Sequence, residues 1–399
     1  MVSGAAQPDA GPRRTVAGPR RRIWLVLHGW FALPIWILLL FVCASGTVAC
    51  VSHEIAWLAD ARTRADNPDG RAALSFGAVA DAAAAAVPGG TVAFVTRRAS
   101  YLAAVVWMHM PDGTTGRVFV NPYTGVVQGV GGGLDFPMFM RTLHAWLLIP
   151  WSDGFSVGYY LVTLLCVPLA GSLITGVVVY RRFWRDYLRP RLRRRDGRVF
   201  WGDLHRLLAI WSLWFVAVLA VTSAWYLAQA VMIHAGHRYW DEPPVLPRTA
   251  VPTVAPGEPV PRIGIDAAIA VVKRRFPDLD VRWVAMPEHA HGAIGVSGRD
   301  WLPLVDDTAV GAWVDPYSGA VIASRSTGEL AGLTLLDHVA DPLHYGTFAG
   351  LWSKLVWAVF GLALTTLVAS GVQVWTTRTA RETAALFRGA PADAPQPAE

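Results

Sequence analysis

Charge is what this sequence has least of. Of 399 residues, only 16% are Asp, Glu, Lys or Arg, while 53% are apolar. Four stretches carry none of those charged residues: 23–53, 154–180, 207–237 and 355–377. Each exceeds the roughly 20 residues that cross a bilayer core of about 30 Å. Soluble core helices rarely stay uncharged for so long, so four transmembrane helices are expected. Cysteine is scarce as well. Cys43, Cys50 and Cys166 all fall inside apolar runs, and Cys43 and Cys50 sit about two turns apart on one helix, too far for a disulfide. There is no C-x-x-C and no C-x-x-C-H, which excludes covalent c-type haem attachment. No nicotinamide or flavin fingerprint is present. "GVGGG" (129–133) follows a strand and opens no βαβ unit, so it reads as a loop.

What charge there is clusters at the helix ends. Arg13, Arg14, Arg20, Arg21 and Arg22 precede the first run, nine arginines fill "YRRFWRDYLRPRLRRRDGR" between the second and third, and Arg378, Arg381 and Arg388 follow the fourth. If the helices alternate, all three groups fall on one side, which the positive-inside rule makes cytoplasmic. Both termini and the arginine loop are then cytoplasmic. Topology beside anionic lipid accounts for the net charge of +6 without nucleic acid. The first run is longer than a signal-peptide h-region and has no A-x-A site before His53, so it reads as a retained helix.

The chain also repeats itself. "VNPYTGVV" (120–127) and "VDPYSGAV" (314–321) each read as strand, Asn/Asp-Pro turn closed by Gly, and returning strand. Helical patterns precede them, "SFGAVADAAAAAV" from Ser75 and "IGIDAAIAVVKRRF" from Ile263. Strand-like segments follow each helix: "TVAFVTRR" and "YLAAVVWMHM", then "VRWVAMP" and "GAIGVSG". Residues 241–261 form a proline-rich, extended spacer. His28 precedes Ser45-Gly46 by 17 and 18 residues, and His205 precedes Thr222-Ser223 by the same intervals. "RTLHAW" (141–146) and "DPLHYG" (341–346) lead into the second and fourth helices, which end at Thr175-Gly176 and Ser370-Gly371.

The expected fold is therefore a mainly α membrane protein of two tandem repeats, each a helix, an extracytoplasmic α+β module and a second helix. The boundaries are a tail at 1–22, helix one at 23–53, module one at 54–143, and an outer approach with helix two at 144–182. The arginine loop at 183–200 leads to helix three at 201–237, the spacer with module two at 238–343, an approach with helix four at 344–377, and a tail at 378–399. Both halves point the same way, so equivalent residues face one another across a pseudo-two-fold axis along the membrane normal.

Of eleven histidines, four are related by the repeat: His28 with His205 at the cytoplasmic ends of helices one and three, and His144 with His344 at the outer approaches. A lone histidine at a helix end is ordinarily an interfacial polar residue. Ionisable groups within membrane segments are costly and tend to be functional, however, and two neutral imidazoles facing one another suit the axial positions of a haem iron. Arg22 and Arg206 lie beside the inner pair and Arg141 beside the outer one, as partners for propionates. Gly176 and Gly371 fall at the depth of the inner pair, Gly46 and Ser223 at that of the outer pair. They offer either a notch for a flat porphyrin or plain small-residue helix packing. Bare zinc or copper ranks lower, because no H-x3-H and no third ligand accompany the pairs. His53, His234 and His237 lie at the outer ends of helices one and three, as alternative outer ligands or interface residues. His109, His289, His291 and His338 read as surface. The nineteen tryptophans suit interfacial belts, with Trp146, Trp151, Trp301 and Trp352 also placed to line an outer binding surface.

"RRIWLVLHGWFALPIWILLLFVCASGTV", "LHAWLLIP…GSLITGVVVYRRFWR", "WGDLHRLLAIWSLWFVAVLAVTS" and "PLHYGTFAGLWSKLVWAVFGLALTTLVASGVQVW" resemble the PepSY-associated transmembrane family, over roughly residues 20 to 380. The paired V(N/D)PY(T/S)G turns resemble its periplasmic PepSY-like modules. The resemblance implies a ferric-siderophore reductase of iron uptake. Two bis-histidine haem b groups would be held by His28, His205, His144 and His344. Electrons would come from a cytosolic reductase or quinol and reach a ferric siderophore in the periplasm, and no catalytic side chain is called for. Two features depart from the family: "TSAWY" (222–226) stands where a small Thr/Ser-Gly pair is usual, and "IPWSD" lengthens the approach after His144. Two other readings stand beside this one. The modules bind a peptide or protease and the helices merely anchor them, or the chain assists a siderophore importer.

Overall fold

The computed structural model describes residues 19–180, 185, 187, 192–193, 197–237, 242–255 and 260–387. The N-terminal tail, most of the arginine loop and the end of the C-terminal tail therefore lie outside the described residues. Four helical spans are long and apolar enough to cross a membrane: Ile23–Cys50, Val157–Val179, Leu213–His234 and Gly350–Thr377, with mean hydropathies of 2.3, 2.2, 1.8 and 2.0.

The first span is two helices, α1 (Pro19–Ala32) and α2 (Trp36–Cys50), joined by a 3-10 turn at Leu33–Ile35. Pro34 lacks the amide hydrogen an α-helix needs there, which accounts for the break. Helix α3 (Ser52–Ala59) continues beyond it. The second span joins α6 (Val157–Thr163) to α7 (Cys166–Val179), with Pro168 in the first turn of α7, where its missing N–H costs nothing. Helix α8 (Gly197–Trp211) runs into α9 (Leu213–His234), and α12 (Gly350–Phe387) is continuous. In the bundle α1 packs on α7, α8 on α12, α2 on α12, and α9 on α7. Each span therefore touches the next in a closed ring. The three cysteines are free thiols.

Between the spans lie α4 (Phe76–Ala86), β1 (Thr91–Thr96), β2 (Ala104–His109), β3 (Thr115–Val120) and β4 (Val127–Gly132) in the first half. The second half supplies α10 (Ile265–Arg275), β5 (Asp280–Ala285), β6 (Ile294–Arg299), β7 (Val310–Val314) and β8 (Val321–Arg325). The strands form one antiparallel sheet in the order β4-β3-β2-β1-β5-β6-β7-β8. It is two meanders joined where Val95 of β1 pairs with Val284 of β5. Alternation explains its faces. Val95, Val106, Val118, Val284 and Val296 are at most 1% exposed, and with Val79 of α4 and Val272 of α10 they form one continuous core under both helices. Full burial of each such side chain stabilises by about 1.5–3 kcal/mol. The opposite face turns to the bundle.

Asn121 and Asp315 each accept a hydrogen bond from the backbone of the Tyr two residues on, and Gly125 and Gly319 take the left-handed φ of +74° that closes the turn. One expected loop is strand. Gly129 to Gly132 belong to β4, an edge strand, and a β-carbon at Gly129 would lie 2.5 Å from Cδ of Arg62, which crosses it. Close approach of that side chain, not chain flexibility, explains the glycine.

The helices bearing the outer histidines start earlier than their sequence boundaries. α5 spans Phe136–Trp146 and α11 spans Gly332–Tyr345. Both are amphipathic: Phe136, Phe139, Leu333 and Leu336 are exposed, while the other faces pack on α2 and α9. They lie between sheet and bundle. The sheet is fastened there by the Arg117–Asp135 ion pair (2.5 Å) and by Arg299 donating to the Thr347 carbonyl (3.3 Å).

Candidate functional site

His28 comes from α1 and His205 from α8, and their ring centroids lie 6.3 Å apart at the end of the bundle nearest the arginine loop. His144 from α5 and His344 from α11 meet at the sheet end with centroids 6.2 Å apart. Two imidazoles bound through opposed nitrogens to one metal, with bonds of about 2 Å, hold their centroids roughly 6 Å apart. Both pairs have that spacing.

Every Nδ1 is already engaged, and each time by a neighbouring helix. His144 Nδ1 lies 3.1 Å from the Val42 carbonyl and His205 Nδ1 lies 3.1 Å from the Leu367 carbonyl. A carbonyl only accepts, so these nitrogens carry the proton. His28 Nδ1 meets Thr175 Oγ1 at 2.9 Å and His344 Nδ1 meets Thr222 Oγ1 at 2.8 Å. Both hydroxyls spend their own hydrogen on helix carbonyls, Gly171 and Val218, so they too accept from the ring. All four histidines are thereby fixed as Nδ1–H tautomers, and their Nε2 lone pairs remain for a metal. Burial also keeps the outer imidazoles neutral, lowering His144 to about 4 and His344 to about 3, the latter helped by its proximity to His144.

The small residues beside these hydroxyls have a specific use. A β-carbon at Gly46 would lie 2.6 Å from His144 Cε1, one at Gly371 3.2 Å from His205 Cε1, and one at Gly176 3.5 Å from His28 Cε1. At Gly46 and Gly371 the missing side chain makes room for the imidazole, whereas Gly176 is in ordinary contact with His28, and the preceding Ser45, Thr175 and Ser370 are buried beside them. The departure "TSAWY" keeps the arrangement through Thr222, while Ser223 lines the cavity described next.

Above the outer pair a cavity of about 520 Å³ opens between bundle and sheet. Its lower wall includes Gly46, His144, His344 and Leu364, and its upper wall Thr96, Val105, Trp107, Arg117 and Phe119. That volume falls within the range of small-molecule sites. Tyr226 stacks edge-on against His344 at 5.1 Å and donates to Asp341 at 2.7 Å. Burial pushes the Asp341 carboxyl up to about 6, against the pull of the Tyr226 hydroxyl. Arg141, one turn before His144, also lines the cavity.

The other candidates separate. Arg206 is engaged by Asp203, which also binds Arg193. The side chain of Arg22 lies outside the described residues. His53 lines the cavity, whereas His234 packs against Phe155 and Tyr160 and reaches neither pair. His338 is not a surface residue: it is 7% exposed, and its Nδ1 lies 2.9 Å from Asp306. Trp146 lines the cavity and packs against Trp151, while Trp301 and Trp352 are 77% and 79% exposed. Sequence reasoning missed Arg98 and Trp107 as lining residues, because only the join of β1 to β5 and the docking of the sheet bring them over the bundle. Among the described residues no cluster of three His, Cys, Asp or Glu could hold a bare metal ion.

The sequence model of the PepSY-associated TM region matches residues 25–378. No curated protein matches the sequence.

Proposed function

The chain belongs to the PepSY-associated TM-region family, and on that premise we propose that it is an inner-membrane haem protein that carries electrons across the bilayer to reduce ferric siderophores. In this reading the halves are tandem repeats with periplasmic PepSY-like modules, and both termini are cytoplasmic. The observation that carries it is the donor set: two histidine pairs at opposite ends of one apolar bundle, each with its Nδ1 atoms satisfied and its rings at bis-imidazole spacing.

A haem b between each pair would supply one-electron chemistry at iron. The protein's own residues do the rest. The helix carbonyls and threonine hydroxyls orient the four imidazoles, and the apolar spans exclude water from between them. Arg141 is placed for the carboxylates of the outer group. The cavity above the outer pair is where a ferric chelate would approach, and reduction weakens its hold because Fe(II) is the poorer partner for hard oxygen ligands. The electron donor is a cytosolic reductase or quinol.

The test is haem stoichiometry in the purified protein. His28→Ala and His144→Ala are each expected to lose about half of the bound haem, and the double variant nearly all of it. A wild-type protein without a Soret band, or single variants that keep full occupancy, would leave the peptide-binding or importer-assisting readings in its place.

A further inference from the structure

The sheet wall of the cavity carries a cation that the protein leaves unbalanced. Arg98 follows β1 and lines the cavity on the side of Thr96 and Trp107. It is an exposed residue, open to whatever enters the cavity from solution. Its acidic neighbours are Asp307 and Asp135. Each is already committed, Asp307 to Arg299 at 2.6 Å and Asp135 to Arg117 at 2.5 Å. Among the described residues, Arg98 has no hydrogen-bond or ion-pair partner for its side chain.

The surroundings add to the excess. His53 is held well below its ordinary value by burial and then by Arg98, Lys354, Arg117 and Arg141, all of the same sign. Arg141 at least faces Asp341 and the phenols of Tyr345 and Tyr226. Arg98 faces only carboxylates that other arginines hold. A guanidinium keeps its charge at any ordinary pH and presents five donors in a fixed fork, so an unpaired one on a cavity wall is free to bind an anion arriving from solution. The same wall is aromatic. Trp107 and Phe119 line it, and Arg117 lies over Trp107 at 4.9 Å.

We propose that Arg98 is the anion-binding residue of the sheet wall, and that the ligand it receives is an anionic ferric chelate bearing catecholate or carboxylate groups. This rests on the reductase reading and narrows its substrate class, setting it against neutral or cationic tris-hydroxamates. The rival source of negative charge is the carboxylates of a haem at the outer pair. Arg141, on the same helix as His144, is placed for those, whereas Arg98 reaches the cavity from the sheet.

Gallium(III) complexes test the proposal, because they mimic ferric chelates but accept no electron. The full-length protein in detergent is titrated calorimetrically with a trianionic gallium tris-catecholate and with a cationic gallium tris-hydroxamate. Wild type is expected to bind the trianionic complex at least about tenfold more tightly. Arg98→Gln should lose about ten- to a hundredfold in affinity for that complex, the range of one charged hydrogen bond. Arg98→Lys should recover part of this, with tris-hydroxamate binding, the Soret spectrum and the melting temperature unchanged.

The proposal is overturned if Arg98→Gln weakens both complexes equally or neither. It is also overturned if Arg98→Gln shifts the Soret band while chelate binding stands, which would assign Arg98 to haem carboxylates. Reduction of an iron tris-hydroxamate without any preference for the anionic complex overturns this proposal alone. Tight, Arg98-dependent gallium binding with no reduction of any ferric chelate overturns the reductase reading and keeps the anion site.

Discussion

Gly46 of α2 and His144 of α5 are in such close contact that a β-carbon on the glycine would fall 2.6 Å from the imidazole Cε1. The residue before the glycine, Ser45, is buried and lies 3.4 Å from the same ring. The glycine is therefore a seat for the histidine, and the outer pair depends on it.

Gly46→Val should unseat His144 and leave the inner pair intact. Overpacking of this kind costs about 1–3 kcal/mol, which a four-span bundle can absorb, so on the haem reading the protein is expected to fold and to bind about half as much haem as wild type. Redox titration would follow the two centres separately. A variant with two unaltered centres would show that the ring is free to move and that Gly46 only packs helices.

On the haem reading, the threonine hydroxyls should act on the iron through the histidines they orient. Thr222→Val keeps the volume but takes away the acceptor 2.8 Å from His344 Nδ1. Loss of such an outer partner typically weakens metal binding about 10–100-fold. The rate of haem transfer to an apo-acceptor should therefore rise for the outer centre in Thr222→Val and for the inner centre in Thr175→Val. Equal effects of both variants on both centres would point to a general loss of stability instead.

How much of this was legible before folding depends on range. His28, His205, His144 and His344 stood out because the sequence repeats their spacing to Ser45-Gly46 and Thr222-Ser223, and spacing along a helix translates directly into depth in a membrane. The hydropathy of the four runs fixed the spans to within a few residues. What resisted was set by contacts between distant segments. Gly129 reads as a loop residue in the sequence because nothing local shows that Arg62 crosses it. His338 reads as surface because its partner, Asp306, belongs to a loop of the sheet. Arg98 reaches the cavity only through the pairing of β1 with β5, which no period in the sequence encodes.

The Asp306–His338 contact should make the docking of the sheet sensitive to acid. Burial alone would raise the Asp306 carboxyl, but the hydrogen bonds and charge of His338 and the hydroxyl of Thr308 outweigh it and hold the carboxyl below its usual value. A carboxylate depressed in the folded state stabilises above its unfolded pKa, near 3.9, and loses that contribution as the pH falls through the folded value. Asp306→Asn should therefore melt below wild type between about pH 5 and 8, by the roughly 1.5–3 kcal/mol of a charged hydrogen bond. The gap should close as the pH drops below about 4. A gap that persists unchanged to pH 3 would mean that the ionised carboxylate is not what fastens the loop to α11.

Lys354 and Glu54 tie the start of α12 to α3 at 2.5 Å, with side chains only 11% and 16% exposed, and Tyr101 of the sheet half donates to the same carboxylate at 2.8 Å. One ion pair thus joins the first span, the fourth span and the β1–β2 connection. Removing one partner of a buried pair leaves a charge without compensation and costs about 3–5 kcal/mol, whereas replacing both with apolar residues is often neutral or better. Lys354→Met should accordingly lower the melting temperature sharply in detergent, and Lys354→Met with Glu54→Leu should recover most of the loss. The double variant also removes the acceptor for Tyr101, so recovery is expected to stop short of wild type by about the 1 kcal/mol of a single hydrogen bond. If the double variant is as unstable as Lys354→Met, the cost lies in the packing of the lysine stem against the bundle, and the stranded charge is not its cause.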